Sequence, residues 1–307
     1  MFNTTDIPKS SRIPKLVEAL YAHMPVIESA RAKLITESYK ATEGQPTITR
    51  RAEAFAHILR NIPIIIRDDE LIVGSSTIAP RGCQTFPEFS YQWLEDELDT
   101  VATRTADPFY IAEETKQELR EVHKYWKGKT SHELYLNMLP RETRRVIYGD
   151  EEYATQGLIF DEANNAHTLS WTGSYEKVIR EGLESIIREL EERKAGIEGN
   201  LLHNQMDKIY YLDAAILSCK AMITYAHRYA DRAEAMAAEE SDPVRRAELE
   251  TIAEICRHVP EHPARNFYEA VQAQWFLQVG YRLENMNGGG VGLGRLDQYL
   301  YPLYKAG

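Results

Sequence analysis

The sequence predicts a predominantly α-helical protein, and three observations support that prediction. Apolar residues recur at intervals of three and four along most of the 307 residues, which is the spacing of one face of an α-helix. The longest continuous stripe runs through residues 206–238. Near the C-terminal end, Asn266 is placed to cap a helix, and Glu269 follows three residues later as in a capping box.

Periodicity and helix-breaking residues set the bounds of the predicted helices. Pro25 divides the first apolar stripe, residues 11–40, into two helices, because proline lacks a backbone donor and clashes with the preceding turn. The remaining predicted helices cover residues 48–60, 91–98, 113–126, 131–139, 141–148, 175–193, 206–238, 243–258 and 266–285.

Three stretches depart from the helical pattern. Residues 62–75 hold two short β-branched runs around a polar turn, which predicts a strand pair or a buried extended segment. Residues 80–90 are predicted to form a loop from their glycine and proline content. Residues 149–173 have no clear period, and an irregular segment of that length is usually functional or disordered. Neither a repeat nor a linker is evident, so residues 1–307 are treated as a single unit.

Composition and charge argue against several classes of function. The formal net charge of -11 disfavours nucleic acid as a partner, because an acidic surface repels phosphate backbones. The three cysteines form no CxxC pair, so neither a disulfide framework nor a cysteine-rich zinc site is expected. No apolar run approaches the ~18 residues of a membrane span, and residues 1–15 lack a secretory signal. These features predict a cytoplasmic protein with reduced thiols and no membrane partner.

Two motifs suggest ligand sites but have simpler interpretations. His258 and His262 have the spacing of a helical zinc site, yet Pro260 and Pro263 prevent a regular helix there. We therefore predict a turn and no metal site. Residues 287–294 contain five glycines, but they do not fit GxGxxG and they follow a helix. They predict either a bend beside a pocket or an unhindered turn.

The three cysteines and His167 are the remaining candidates for reactive or ligand-binding groups. Cys83 could be a nucleophile, but a thiolate needs a cation or base nearby, and the neighbouring Arg81 is not accompanied by an evident base. Cys219 and Cys256 lie on apolar helical faces and are predicted to be core residues. His167 lies in a polar stretch that ends at Trp171, and it is either a structural loop histidine or part of a pocket.

Three stretches, taken in their order and spacing, resemble a known family. The first stretch is residues 64–74. The second is residues 80–90, which are followed by Trp93 and residues 97–99. The third is residues 294–302. Together they resemble the N-terminal region of glycyl radical enzymes of the pyruvate formate-lyase type. The nearest branch is that of glycerol dehydratase and choline trimethylamine-lyase, and the resemblance runs from about Arg12 to Tyr304.

The resemblance implies a fold and a chemistry. The fold would be the N-terminal, predominantly α-helical fragment of a ten-stranded α/β barrel. In such enzymes of anaerobic metabolism, an S-adenosylmethionine-dependent activating enzyme installs a glycyl radical, and the radical passes to a cysteine that attacks the substrate. No other cofactor is bound directly, and the full-length enzyme is expected to be a homodimer. This sequence contains neither the Gly-Cys-Val-Glu-like nor the Arg-Val-Ala-Gly-Tyr-like motif, so we expect a truncated, inactive chain without catalytic residues.

The resemblance also implies substrate-binding residues. His167 matches a substrate-binding histidine with about three extra residues before the next helix, and Ser170 is the candidate without a gap. Trp171, which directly follows Ser170, is included with them. Gly289 and Gly290 stand where glycerol dehydratase has a His-Ser pair, which argues against glycerol as the substrate. The polar stretch at residues 164–171 and the glycine-rich bend at residues 287–294 are therefore expected to approach each other.

Three functional hypotheses follow. The parent protein is a glycyl radical lyase of the dehydratase type, cleaving a C–O or C–N bond of a small polar substrate. Alternatively, it is an arylacetate decarboxylase or a formate acetyltransferase of the same family. The rival class is a non-catalytic helical interaction protein. In the first two cases, this chain is a fragment of a closed barrel, and its core would be left partly open. Apolar surface should then be exposed around Trp275, Phe276, Leu300 and Tyr301.

Overall fold

A computed structural model describes residues 10–148, 171–198, 205–285 and 291–306. Helices dominate these residues, as predicted. The helices are α1 (Arg12–Tyr21), α2 (Ala30–Ala41), α3 (Thr47–Asn61), α4 (Gln92–Glu97), α5 (Glu113–Trp126), α6 (Ser131–Met138), α7 (Arg141–Tyr148), α8 (Tyr175–Glu198), α9 (Gln205–Glu239), α10 (Pro243–His258), α11 (Phe267–Glu284), α12 (Leu296–Tyr299) and α13 (Tyr301–Ala306). The strands are β1 (Val26–Glu28), β2 (Gly82–Gln84), β3 (Trp171–Thr172) and β4 (Val291–Gly292). No helix in these ranges is long and apolar enough to cross a membrane.

The short strands form two separate parallel pairs. β1 pairs with β2 in the register Val26↔Gly82, and β3 pairs with β4. β1 begins directly after Pro25, so the chain between the first two helices is extended. β2 lies inside the segment that the sequence predicts to be a loop, and its three residues are too few to show a periodic pattern.

The predicted strand pair within residues 62–75 is wrong, whereas its alternative, a buried extended segment, is confirmed. Ile62, Ile66 and Val73 are buried, yet no strand forms there. The Gln272 side chain of α11 accepts from the Val73 N–H at 2.9 Å and donates to the Val73 carbonyl at 2.7 Å. A side-chain amide thus replaces the neighbouring strand as the backbone's hydrogen-bonding partner.

The long helix α9 is the centre of the core and packs against α3, α8 and α10. Its buried stripe includes Ala226, Ala230 and Ala233, whose small side chains permit close helix packing. Tyr225 donates its hydroxyl to the Ser75 carbonyl at 2.8 Å. The extended segment that contains Ser75 is thereby fixed to α9.

A kink in α8 receives the turn that contains His258 and His262. Gly182 has φ 74°, and a Cβ there would lie 2.4 Å from the Glu261 carbonyl oxygen. Only glycine suits this position, because the left-handed conformation is strained for other residues. The predicted turn is therefore present. Within the described ranges, no group of three or more His, Cys, Asp or Glu side chains could hold a metal ion.

The expected exposure of apolar residues near the C-terminal end is only partly observed. Tyr301 is 55% exposed, as expected. Phe276 is fully buried against Tyr225 and Tyr229, so the expectation was wrong for this residue. Trp275 and Leu300 are partly buried against the core. Packing against α9 accounts for the burial of Phe276, and that contact could not be inferred from its position in the sequence.

A buried ion pair joins three distant parts of the chain. Arg31 of α2 is 0% exposed, and it contacts Glu88 through two hydrogen bonds of 2.6 and 3.2 Å. The same guanidinium donates to the carbonyls of Thr85 at 3.2 Å and Leu283 at 2.6 Å. It also lies over the Phe86 ring, 3.7 Å from the centroid. The pair therefore ties α2 to the loop after β2 and to the C-terminal end of α11.

Replacing Arg31 with methionine should destabilise the protein strongly. Glu88 would remain buried without its main cationic partner, and breaking a buried pair in this way costs about 3–5 kcal/mol. The matched control is Arg180→Met, which breaks an exposed pair with Glu176 and should cost less than about 1 kcal/mol. The free energy of unfolding in urea, followed by circular dichroism, measures both variants. Equal losses would contradict a structural role for Arg31.

Candidate active-site region

Most of the predicted substrate-binding residues lie outside the described residues. His167, Ser170, Gly289 and Gly290 all do, and for Trp171 only the backbone is described. Their assignment as a substrate site therefore stays a prediction. Trp171 follows Ser170 and Val291 follows Gly290, and the backbone of both residues is described. The positions of these two residues can therefore be compared.

The described ends of the two segments adjoin each other. β3 and β4 pair in parallel, with Trp171 opposite Val291 and Thr172 opposite Gly292. Trp171 is the last residue of the polar segment, and Val291 lies within the glycine-rich segment. The predicted approach of these two distant segments is confirmed at this point.

A glutamine of α11 links the start of α8 to β4. Tyr175 donates its hydroxyl to Gln278 Oε1 at 2.5 Å, and Gln278 Nε2 donates to the Val291 carbonyl at 3.4 Å. The Tyr175 ring packs edge-on against Tyr281, with centroids 5.8 Å apart, and stacks on Tyr299 at 6.4 Å. These contacts hold β4 and the start of α8, which follows β3, against the same helix.

Two glycines allow the strands to approach this helix and each other. A Cβ added at Gly173 would lie 2.6 Å from the Tyr281 ring. A Cβ at Gly294 would lie 2.9 Å from Thr172 Cγ2, and Gly294 has φ 69°. Side chains at either position would therefore force the strand pair or the aromatic cluster to move.

The tyrosines of this cluster are hydrogen-bonding groups and not bases. Burial raises the pKa of Tyr175 above its ordinary range and raises the pKa of Tyr299 to about 12. Burial also raises the pKa of Tyr281. All three phenols stay protonated at neutral pH. Tyr299 uses its hydroxyl to donate to the Leu293 carbonyl at 2.8 Å, just after β4.

The cysteines are unsuited to act as thiolates. Cys83 keeps exposed surface, yet desolvation by the surrounding atoms raises the pKa of its thiol, and the nearby Arg282 charge only partly offsets this effect. Burial raises the pKa of Cys219 to about 11, and that of the buried Cys256 still higher. A thiolate is the nucleophilic form, so the structure gives no support to Cys83 as a nucleophile.

Sequence reasoning missed the residues that hold the strand pair in place. Gln278 lies in a helix without any local signal, and its partners, Tyr175 and Val291, are reached only after folding. Gly173 follows the irregular segment and belongs to no glycine motif. Of the aromatic residues Tyr299, Tyr301 and Tyr304, only Tyr299 stacks on Tyr175, whereas Tyr301 and Tyr304 are largely exposed.

Comparisons with known proteins agree with this architecture. Residues 5–307 match the family described as Pyruvate formate lyase-like. The chain is 40% identical over 296 residues to isethionate sulfite-lyase of Oleidesulfovibrio alaskensis, covering 96% of this chain and 36% of the relative. The chain thus spans about a third of that relative's length.

Two solved structures are also similar. One comes from work on 1,2-propanediol dehydration in Roseburia inulinivorans, with TM-score 0.89 and 47% identity, and the match covers 100% of this chain and 36% of that chain. The other is the B12-independent glycerol dehydratase of Clostridium butyricum, with TM-score 0.89 and 43% identity, covering 97% and 37% of the two chains. The helical elements described above therefore belong to a fold already seen in larger chains.

Replacing Gly294 with alanine should destabilise the region more than the same change at a glycine with free space. Both Gly294 and Gly44 have positive φ, but nothing lies within 4 Å of a Cβ at Gly44. The conformational cost of about 1–2 kcal/mol applies to both variants, whereas the contact with Thr172 adds about 1 kcal/mol or more at Gly294. Urea unfolding measures the difference. Equal losses would mean that the β3–β4 approach is not as close as described.

Proposed function

Because this chain belongs to the pyruvate formate-lyase-like family of glycyl radical enzymes, we propose that it forms the N-terminal portion of a glycyl radical lyase. The proposed activity is of the dehydratase type, cleaving a C–O or C–N bond of a small polar molecule. The observation that carries this proposal is the similarity to the two dehydratase structures, which extends over at least 97% of the chain.

The described geometry supports a substrate position between the two predicted segments. Ser170 directly precedes Trp171, and Gly290 directly precedes Val291, the residue that pairs with Trp171. Because β3 and β4 are parallel, Trp171 and Val291 lie at the same end of the pair. The proposed site is therefore one where His167 or Ser170 supplies polar contacts and Gly289 and Gly290 leave space for a ligand.

Cleavage of a C–S bond in a small sulfonate is the second candidate. It is favoured by the 40% identity to isethionate sulfite-lyase. The glycines at positions 289 and 290 also favour it over glycerol dehydration, since the resemblance puts hydroxyl-binding side chains there in glycerol dehydratase. Isethionate and a vicinal diol are therefore the two substrates to compare.

The radical chemistry itself lies outside this sequence. No residue here matches either of the motifs that would carry the radical glycine and the catalytic cysteine, so no catalytic step is assigned to this chain. The proposal includes an S-adenosylmethionine-dependent activating enzyme as a partner, a homodimeric full-length enzyme and a cytoplasmic location. In this arrangement the chain contributes one wall of the substrate pocket.

The test compares two proteins under anaerobic conditions. One is the product of the whole reading frame that contains this sequence, and the other is the 307-residue chain alone. Each is treated with an activating enzyme and S-adenosylmethionine and examined by electron paramagnetic resonance. We expect a glycyl doublet from the first protein and none from the second, because the 307 residues lack the radical glycine motif.

The activated protein is then given propane-1,2-diol or isethionate. Dehydration of the diol releases water and propanal, and cleavage of isethionate releases sulfite and acetaldehyde. Formation of propanal supports the dehydratase proposal, whereas sulfite supports the second candidate. A doublet from the 307-residue chain alone would contradict the assignment of the radical to another part of the protein. A radical-bearing enzyme that converts neither substrate, nor another small alcohol, amine or sulfonate, would contradict the lyase proposal.

A further inference from the structure

A cavity of about 280 Å³ opens between β2, the loop that follows it, α4 and the end of α11. Polar and aromatic side chains share its wall, among them Thr85, Trp93 and Arg282. Its volume is close to the lower end of pockets that hold small molecules.

Arg282 brings a positive charge to this cavity. It lies in the last turn of α11, and within the described ranges no carboxylate lies at ion-pair distance from its guanidinium. The acidic groups nearby are already engaged. Glu28 accepts from the backbone N–H groups of Ile78 and Ala79, and Glu284 pairs with Arg51. The positive charge of Arg282 is therefore available to an anion.

The influence of Arg282 reaches into the cavity wall. Its charge lowers the pKa of the Cys83 thiol, although burial raises that pKa by more. Cys83 lines the same cavity. The guanidinium and the thiol are thus close enough for their electrostatic interaction to matter, and a ligand beside Cys83 would lie in the same positive field.

Thr85 also lines the cavity, but its hydroxyl oxygen is buried. The residue is 7% exposed, and its Oγ1 has no hydrogen-bonding partner in the part of the chain that is described. Its backbone is fixed, because its carbonyl accepts from Arg31 at 3.2 Å. Buried hydroxyls without partners are uncommon, but this oxygen has almost no accessible surface, so it adds no contact to a ligand in the cavity.

Apolar and polar side chains share the rest of the wall, and the polar ones include Gln84, Ser90 and Asn285. Phe86, Tyr91 and Leu94 line the cavity, and Trp93 exposes about half of its surface. His123 also lines it, and burial lowers the pKa of His123, so the imidazole is neutral at neutral pH and adds no second charge. One cation beside an aromatic wall suits a molecule with a single negative charge and an apolar body.

We propose that this cavity binds a small organic carboxylate, whose anionic group lies against Arg282 and whose apolar body lies against Trp93. A neutral diol or amide would lack the charge that Arg282 recognises. The proposal concerns binding by described residues and does not depend on the lyase activity proposed above.

The test measures binding of benzoate to the 307-residue chain, with benzamide as the neutral probe of nearly the same shape. Ligand-observed nuclear magnetic resonance yields the dissociation constant of each probe. We expect saturable binding of benzoate and at least tenfold weaker binding of benzamide. Arg282→Gln should weaken benzoate binding at least tenfold, and Arg282→Lys, which keeps the charge, should weaken it less.

The matched control is Arg188→Gln, because Arg188 is exposed on α8 and does not line the cavity. It should leave benzoate binding unchanged. Circular dichroism verifies that each variant is folded. If Arg282→Gln does not fold, the comparison of benzoate with benzamide in the unchanged chain and in Arg282→Lys still tests the proposal. Absence of saturable benzoate binding, equal binding of benzamide, or equal effects of the Arg282→Gln and Arg188→Gln changes would each overturn the proposal.

Discussion

The structure depends on one buried charge. Arg31 has no exposed surface, and a guanidinium in that position is tolerated only when its hydrogen bonds are satisfied. Glu88 supplies the negative charge, and the carbonyls of Thr85 and Leu283 accept the other donors. These partners come from the loop after β2 and from the end of α11, so the two regions must be in place together. The position of the end of α11 is thereby set by a residue of α2.

That position matters because α11 also holds the region where a substrate is proposed to bind. One face of the helix carries Gln278 and Tyr281, which contact Tyr175 after β3 and the backbone of β4. At the other end of α11, Gln272 replaces a strand partner for Val73. A single helix therefore links the buried pair, the extended segment and the β3–β4 pair. Glu284, its last residue, is paired with Arg51, although burial raises its pKa.

The sequence could predict the helices far better than the contacts between them. Helical periodicity identified α5, α7 and α10 with their observed bounds, and Asn266 accepts from the Glu269 N–H as its capping position predicts. The strands were missed because two or three residues carry no period. Arg31 gave no signal, since periodicity assumes that charged residues face solvent, and its partner lies 57 residues away. The sequence alone suggested a pocket role for His167 and for the glycine-rich bend, but their assignment as substrate-binding residues came from a family resemblance. The contacts of Gln278 and Gly173 arise only in the folded chain.

The most direct test of this account is hydrogen–deuterium exchange of the backbone amides in residues 172–175 and 291–294, measured in Arg31→Met under conditions where the protein remains folded. Arg180→Met is the reference. If the buried pair sets the position of α11, these amides should exchange faster in the Arg31 variant, although Arg31 contacts none of them. Unchanged exchange in both segments, with faster exchange only around residues 85–88 and 283, would contradict the central claim.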